Sequence, residues 1–104
     1  MVDVRYATLF DAGERIYRYE LPVDDEWHEF TLWGDPLAVE CRKPDAVEFW
    51  SRDPGDLPVH GLVGARRSFI VVGTGQQVPT GVRYWGTALV PGEALVWHLL
   101  ERRP

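Results

Sequence analysis

One cysteine, one methionine and one lysine stand in this chain of 104 residues. A lone cysteine, Cys41, excludes an internal disulfide framework and fits a reducing compartment. No apolar run approaches the ~20 residues of a membrane-spanning helix, so no membrane partner is expected. The opening stretch MVDVRYATLFDAGE holds acids at Asp3 and Asp11 and no apolar core, which is not the pattern of a secretory leader. Metal-ligand spacing is missing too: His28, His60 and His98 are scattered and Cys41 has no companion, so neither a metal nor a cofactor is expected. A dominant positive charge is absent. The net charge is −5, which argues against a nucleic-acid partner.

Breakers and β-formers are abundant instead. Ten Gly and eight Pro punctuate short runs rich in Val, Ile, Phe, Tyr and Trp. Residues 15–21 alternate, with Tyr17, Tyr19 and Leu21 on one side and Arg18 and Glu20 on the other. Residues 27–33 repeat the pattern, as do 37–42 and 46–52, although the last also fits a helical turn between two prolines. Runs at 67–72, 82–90 and 94–101 follow, and Val2 to Thr8 reads as a short edge strand. Val90-Pro91-Gly92-Glu93 has Pro and Gly in type II turn order, so the last two runs should form a hairpin. Strands at intervals of roughly ten residues predict an all-β domain, a small antiparallel sandwich or barrel of about seven strands. Residues 1–104 read as one domain, with 1–15 an extra N-terminal segment. The expected core is Phe30, Leu32, Val39, Phe49, Phe69, Val71, Tyr84, Val96 and Leu100.

Two runs are apolar on both parities, which a plain sandwich does not explain. Phe69 and Val71 oppose Ile70 and Val72, and Val96, His98 and Leu100 oppose Leu95, Trp97 and Leu99. The second face needs a cover. A two-fold homodimer through Leu95, Trp97 and Leu99 is one expectation, and Met1 to Phe10 folded across the sheet is the other.

Candidate chemistry is sparse. Gly73-Thr74-Gly75 is followed by a further strand and not by the helix of a phosphate loop. His28 and Glu29 point to opposite faces, and the parity of Cys41 places it inside. No catalytic set is expected, and the protein is read as a non-enzyme. Charge and aromatics carry more. Residues 1–56 hold 14 acids and 6 bases, whereas residues 57–104 hold 2 acids and 5 arginines. Trp27, Trp33 and Trp50 share faces with polar residues and are candidates for an exposed binding face. Arg66, Arg67, Arg83 and Trp85 are the available parts of an anion pocket.

The pieces IYRYEL at 16–21, RSFIVVGTGQ at 67–76, YWGT at 84–87 and ALVWHLLE at 94–101 resemble a family of short proteins encoded by tailed bacteriophages and prophages, a domain of unknown function. The similarity spans about residues 16–101 and leaves the first fifteen outside. It implies a phage origin and a host-cytoplasmic setting, and it lends no activity. The expected function is an accessory protein that binds a host or phage macromolecule. A binder that sequesters a nucleotide-like ligand is the alternative, and a minor virion or assembly component the third reading.

Overall fold

Alternating aromatic and β-branched residues, cut by Pro and Gly, form seven strands in the computed structural model, which describes residues 15–54 and 64–104. They are β1 (Arg15–Pro22), β2 (His28–Leu32), β3 (Ala38–Lys43), β4 (Ala46–Asp53), β5 (Ala65–Gly73), β6 (Val82–Leu89) and β7 (Val96–Arg102). They make two antiparallel sheets, ordered β1-β4-β3 and β2-β5-β7-β6, which face each other as a sandwich. Among the described residues there is no helix, and so none long and apolar enough to cross a membrane. The segment 46–52 that also suited a helical turn is strand β4. The expected strand at Val2 to Thr8, the Met1 to Phe10 cover and His60 lie outside the described residues.

The β6–β7 hairpin closes as its turn residues require. Gly92 has φ 73°, and the Glu93 amide donates to the Val90 carbonyl at 3.2 Å. An L-residue resists that backbone angle and glycine does not.

Aromatic rings join the sheets. Phe49 on β4 and Phe69 on β5 meet at 5.0 Å between centroids, Tyr19 stacks on Phe49 at 5.2 Å, and Phe30 meets Phe49 edge-on at 5.4 Å. Leu21, Leu32, Val47, Val71 and Leu99 complete this buried cluster. Of the expected core, Leu32, Phe49, Phe69, Val71 and Leu100 are buried, and Phe30, Val39 and Val96 are half-buried. Tyr84 is not a core residue: it is 58% exposed. A bulge between Tyr84 and Gly86 reverses the parity of β6, so that Gly86 and Ala88, not Tyr84, face the other sheet.

The parity of β7 is also the reverse of expectation. Leu99 is fully buried between the sheets and Trp97 packs beside it, its indole N–H donating to the Pro44 carbonyl at 3.1 Å. These two residues face the molecule's own core, and Leu95 alone of the expected interface trio is exposed. A strand apolar on both sides carries no parity signal of its own; pairing with β5 decides it. On the outer face, Ile70, Val72 and Leu100 form a second buried cluster against which Trp27 and Val82 pack. The apolar outer face is therefore covered within one chain, and the case for a dimer through β7 loses its premise.

The outer face of β1-β4-β3 is charged. Glu48 is buried beneath two guanidiniums, accepting from Arg18 at 2.6 Å and from Arg42 at 2.7 and 2.6 Å. Those bonds hold its carboxyl down to about 2.

Phe69 touches both sheets through its ring contacts, so its truncation leaves a central cavity. Phe69→Ala should destabilise the fold by roughly 3–5 kcal/mol in chemical denaturation. A loss below about 1 kcal/mol would show that the ring does not bridge the sheets.

Candidate anion-binding cleft

Strands β5, β6 and β7 end together at one side of the sandwich, and each carries arginine at or next to that end. Arg66 and Arg67 open β5, Arg83 opens β6, and Arg102 closes β7 ahead of Arg103. Antiparallel pairing places them side by side, with Arg83 opposite Glu101 and Val82 opposite Arg102. Together with Ala65, Ser68, Glu101 and Pro104 they line an open cleft of about 870 Å³. All five arginines of residues 57–104 line it, with Glu101 the one acidic side chain among the lining residues.

The five differ in what holds them. Arg67 is structural: Nε and Nη2 donate to both Glu101 oxygens at 2.6 and 2.7 Å, Nη1 to the Gly34 carbonyl at 3.2 Å, and Nη2 to Asp35 at 3.0 Å. Ser51 donates to the same Gly34 carbonyl at 2.8 Å. Arg67 thus ties β5 to β7 and to the loop that crosses from one sheet to the other. Arg66 pairs with Glu29 at 3.0 Å on an exposed surface. Arg83 lies 4.2 Å from the centre of the Trp85 ring and Arg102 lies 4.3 Å from that of Trp27. Among the described residues no carboxylate forms a salt bridge with Arg83, Arg102 or Arg103.

Trp85 is not open for stacking on a ligand ring. Arg83 sits over it, Arg67 lies 5.7 Å from its centre, and its indole N–H donates to Glu101 at 2.8 Å. It supports the arginines. Burial alone would raise the carboxyl pKa of Glu101, but hydrogen bonds from Arg67 and Trp85 and the charges of Arg67 and Arg83 outweigh it, and the value falls below the ordinary range.

The structure thus brings Arg66, Arg67, Arg83 and Trp85 to one end of the sheet, with Arg67, Arg83 and Trp85 on its core side and Arg102, over Trp27, on its outer side. It keeps the other tryptophans apart. Trp50 is half-buried on the outer face of β1-β4-β3, in register with Arg18 and Ala38. Trp33 is 36% exposed beyond the end of β2 and Leu95 lies in the β6–β7 loop at the far end. Sequence reasoning missed Arg102, Arg103 and the Glu101 counter-charge. The signal was present, since every base after residue 56 belongs to the cleft.

The remaining candidates have structural partners. Cys41 is buried, its thiol donates to the Lys43 carbonyl at 2.8 Å, and burial pushes its pKa up. His28 reaches Asp24 at 2.8 Å and not Glu29. Gly73 to Gln76 is a tight turn, closed by the Gln76 amide on the Gly73 carbonyl at 3.0 Å. Thr74 and Thr87 each lie 2.9 Å from a ring nitrogen of His98, so the GTG, YWGT and VWH pieces meet in one hydrogen-bonded chain.

Among known families, a model described as a domain of unknown function, DUF7352, matches residues 12–104. No curated protein and no solved structure matches the chain.

Acid should expose the two depressed carboxylates. Glu48 and Glu101 both have folded values below their unfolded ones, so their stabilisation is present above the ordinary carboxylate range and is lost as pH falls below it, for Glu48 towards about 2. The melting temperature should fall across that window, and Glu48→Gln should flatten the fall. An unchanged slope in that variant would show that Glu48 is not the group being titrated.

Proposed function

The chain belongs to a domain family of unknown function, and we propose that its member here is a binding protein whose arginine cleft takes a small phosphorylated ligand of the nucleotide type. The observation that carries this reading is the gathering of five arginines around a single carboxylate in a chain whose net charge is −5. Solubility does not need such a cluster, and ion pairs within the fold use only Arg67 and Arg66. Arg83, Arg102 and Arg103 are left to face a ligand, and guanidinium is the side chain best matched to phosphate oxygens. Trp85 and Trp27 beneath two of them hold the donors in place before binding, which lowers the ordering cost. The setting that fits is sequestration of a phosphorylated signal in the host cytoplasm of a phage, by binding and without conversion.

Capture of a host or phage macromolecule through exposed tryptophans is the weaker reading. Trp50 is on the outer face of one sheet and Trp27 on that of the other, so they do not form one hot spot.

A thermal-shift series with nucleoside mono-, di- and triphosphates, inorganic pyrophosphate and an uncharged nucleoside tests the proposal. Stabilisation should rise with phosphate number, vanish for the nucleoside and weaken with salt. The Arg83→Gln/Arg103→Gln protein should lose most of the shift while melting normally without ligand. No shift with any phosphorylated compound at millimolar concentration, or an unchanged shift in the double variant, overturns it.

A further inference from the structure

Among the described residues the sandwich has four sheet edges: β1 and β3 in one sheet, β2 and β6 in the other. Three are blunted by the usual devices. β2 has only five residues. β3 carries a bulge between Glu40 and Lys43 and β6 one between Tyr84 and Gly86. These two edges also pack on each other, with Val39 so close to Gly86 that a Cβ there would lie 2.7 Å from it. β1 has none of these protections. It has eight residues, pairs with β4 at eight successive positions without a register shift, and has no proline before Pro22. Ile16 is 62% and Tyr17 43% exposed along it. Among the described residues no strand pairs with its outer edge.

We propose that this edge is an interface for a second copy of the chain, with two β1 strands pairing antiparallel about a two-fold axis at Tyr19. The sequence of β1 selects that occupant and that register. A two-fold axis through the sheet keeps side chains on their own faces, so the axis must pass through a residue. Centring on Arg18 sets Arg18 against its own copy, and centring on Glu20 does the same for Glu20. Centring on Tyr17 leaves Arg18 opposite Ile16, with no opposite charge across from it. Centring on Tyr19 alone sets Arg18 opposite Glu20 of the partner subunit, twice, with Tyr17 opposite Leu21 of the partner subunit. Opposite charges directly across a strand pair stabilise it and like charges oppose it.

Inside its own sheet Glu20 is held only by an exposed ion pair with Lys43. It stands in register with Glu48, whose charge is taken up by Arg18 and Arg42, and its own contact is an exposed Lys43 at 3.2 Å. The product is a continuous six-stranded sheet, β3-β4-β1 joined to its two-fold copy, with both arginine clefts left open.

Sedimentation velocity on the full chain at submillimolar concentration reads the result. The wild type should run as a dimer, and Glu20→Arg, which sets Arg18 against the new arginine, should run as a monomer with an unchanged far-ultraviolet spectrum. Mixing Glu20→Arg with Arg18→Glu should restore a dimer of one of each. Because Arg18 also holds Glu48, hydrogen exchange gives a readout that does not depend on that variant. Amides 16–20 should become more protected as wild-type concentration rises, and not in Glu20→Arg. A monomeric wild type, a Glu20→Arg dimer, or concentration-dependent protection confined to other strands overturns the proposal.

Discussion

The ion pair between Arg67 and Glu101 is the joint on which both the fold and the cleft depend. Both side chains lie on the core side of their sheet, at the end where the hydrophobic cluster gives out. Glu101 receives two bonds from Arg67 and one from Trp85, and Arg67 uses its other donors on Gly34 and Asp35. Neither charge is left uncompensated, which is the condition for burying either. Removing one partner would strand the other, release the Trp85 indole and free the loop between β2 and β3. The same pair forms the floor of the cleft, so the positive wall above it rests on a neutralised base.

That arrangement explains how an acidic protein can present a cationic site. Arg67 and Arg66 are spent on Glu101, Asp35 and Glu29. The charge that remains is local, at Arg83, Arg102 and Arg103, and two of these are oriented by indole rings. The acids Asp24 and Asp25 lie in the β1–β2 loop at the opposite end of the sandwich, where Gln76 donates to Asp25 at 3.2 Å. Local field and positioned donors, not net charge, decide what a cleft of this size attracts.

The strands themselves were legible in the sequence because breakers and period-two alternation agree from Arg15 onward. All seven strands within the described residues fall where alternation, or for β5 and β7 an unbroken apolar run, placed them, and the Pro91-Gly92 hairpin forms. What failed was facing. In β7 every residue from Val96 to Leu100 except His98 is apolar, so the pattern could not say whether Leu99 or Leu100 points between the sheets. In β6 the bulge at Tyr84 and Gly86 put a large aromatic outside, and Gly86 inside the run was its one signal in the sequence. The covering of the outer face by Trp27 was hidden for a different reason: it is a contact between segments more than 40 residues apart. The arginine cleft was half legible. The charge asymmetry showed that the second half is basic, but only strand pairing shows that the ends of β5, β6 and β7 coincide.

The central claim is that these arginines act together on one anion. Nuclear magnetic resonance of the arginine Nε–H groups, titrated with inorganic pyrophosphate, tests it directly. Saturable shifts are expected at Arg83, Arg102 and Arg103, with Arg15, Arg18 and Arg42 unmoved. Shifts that are linear and alike for all arginines, or none at all, would contradict it.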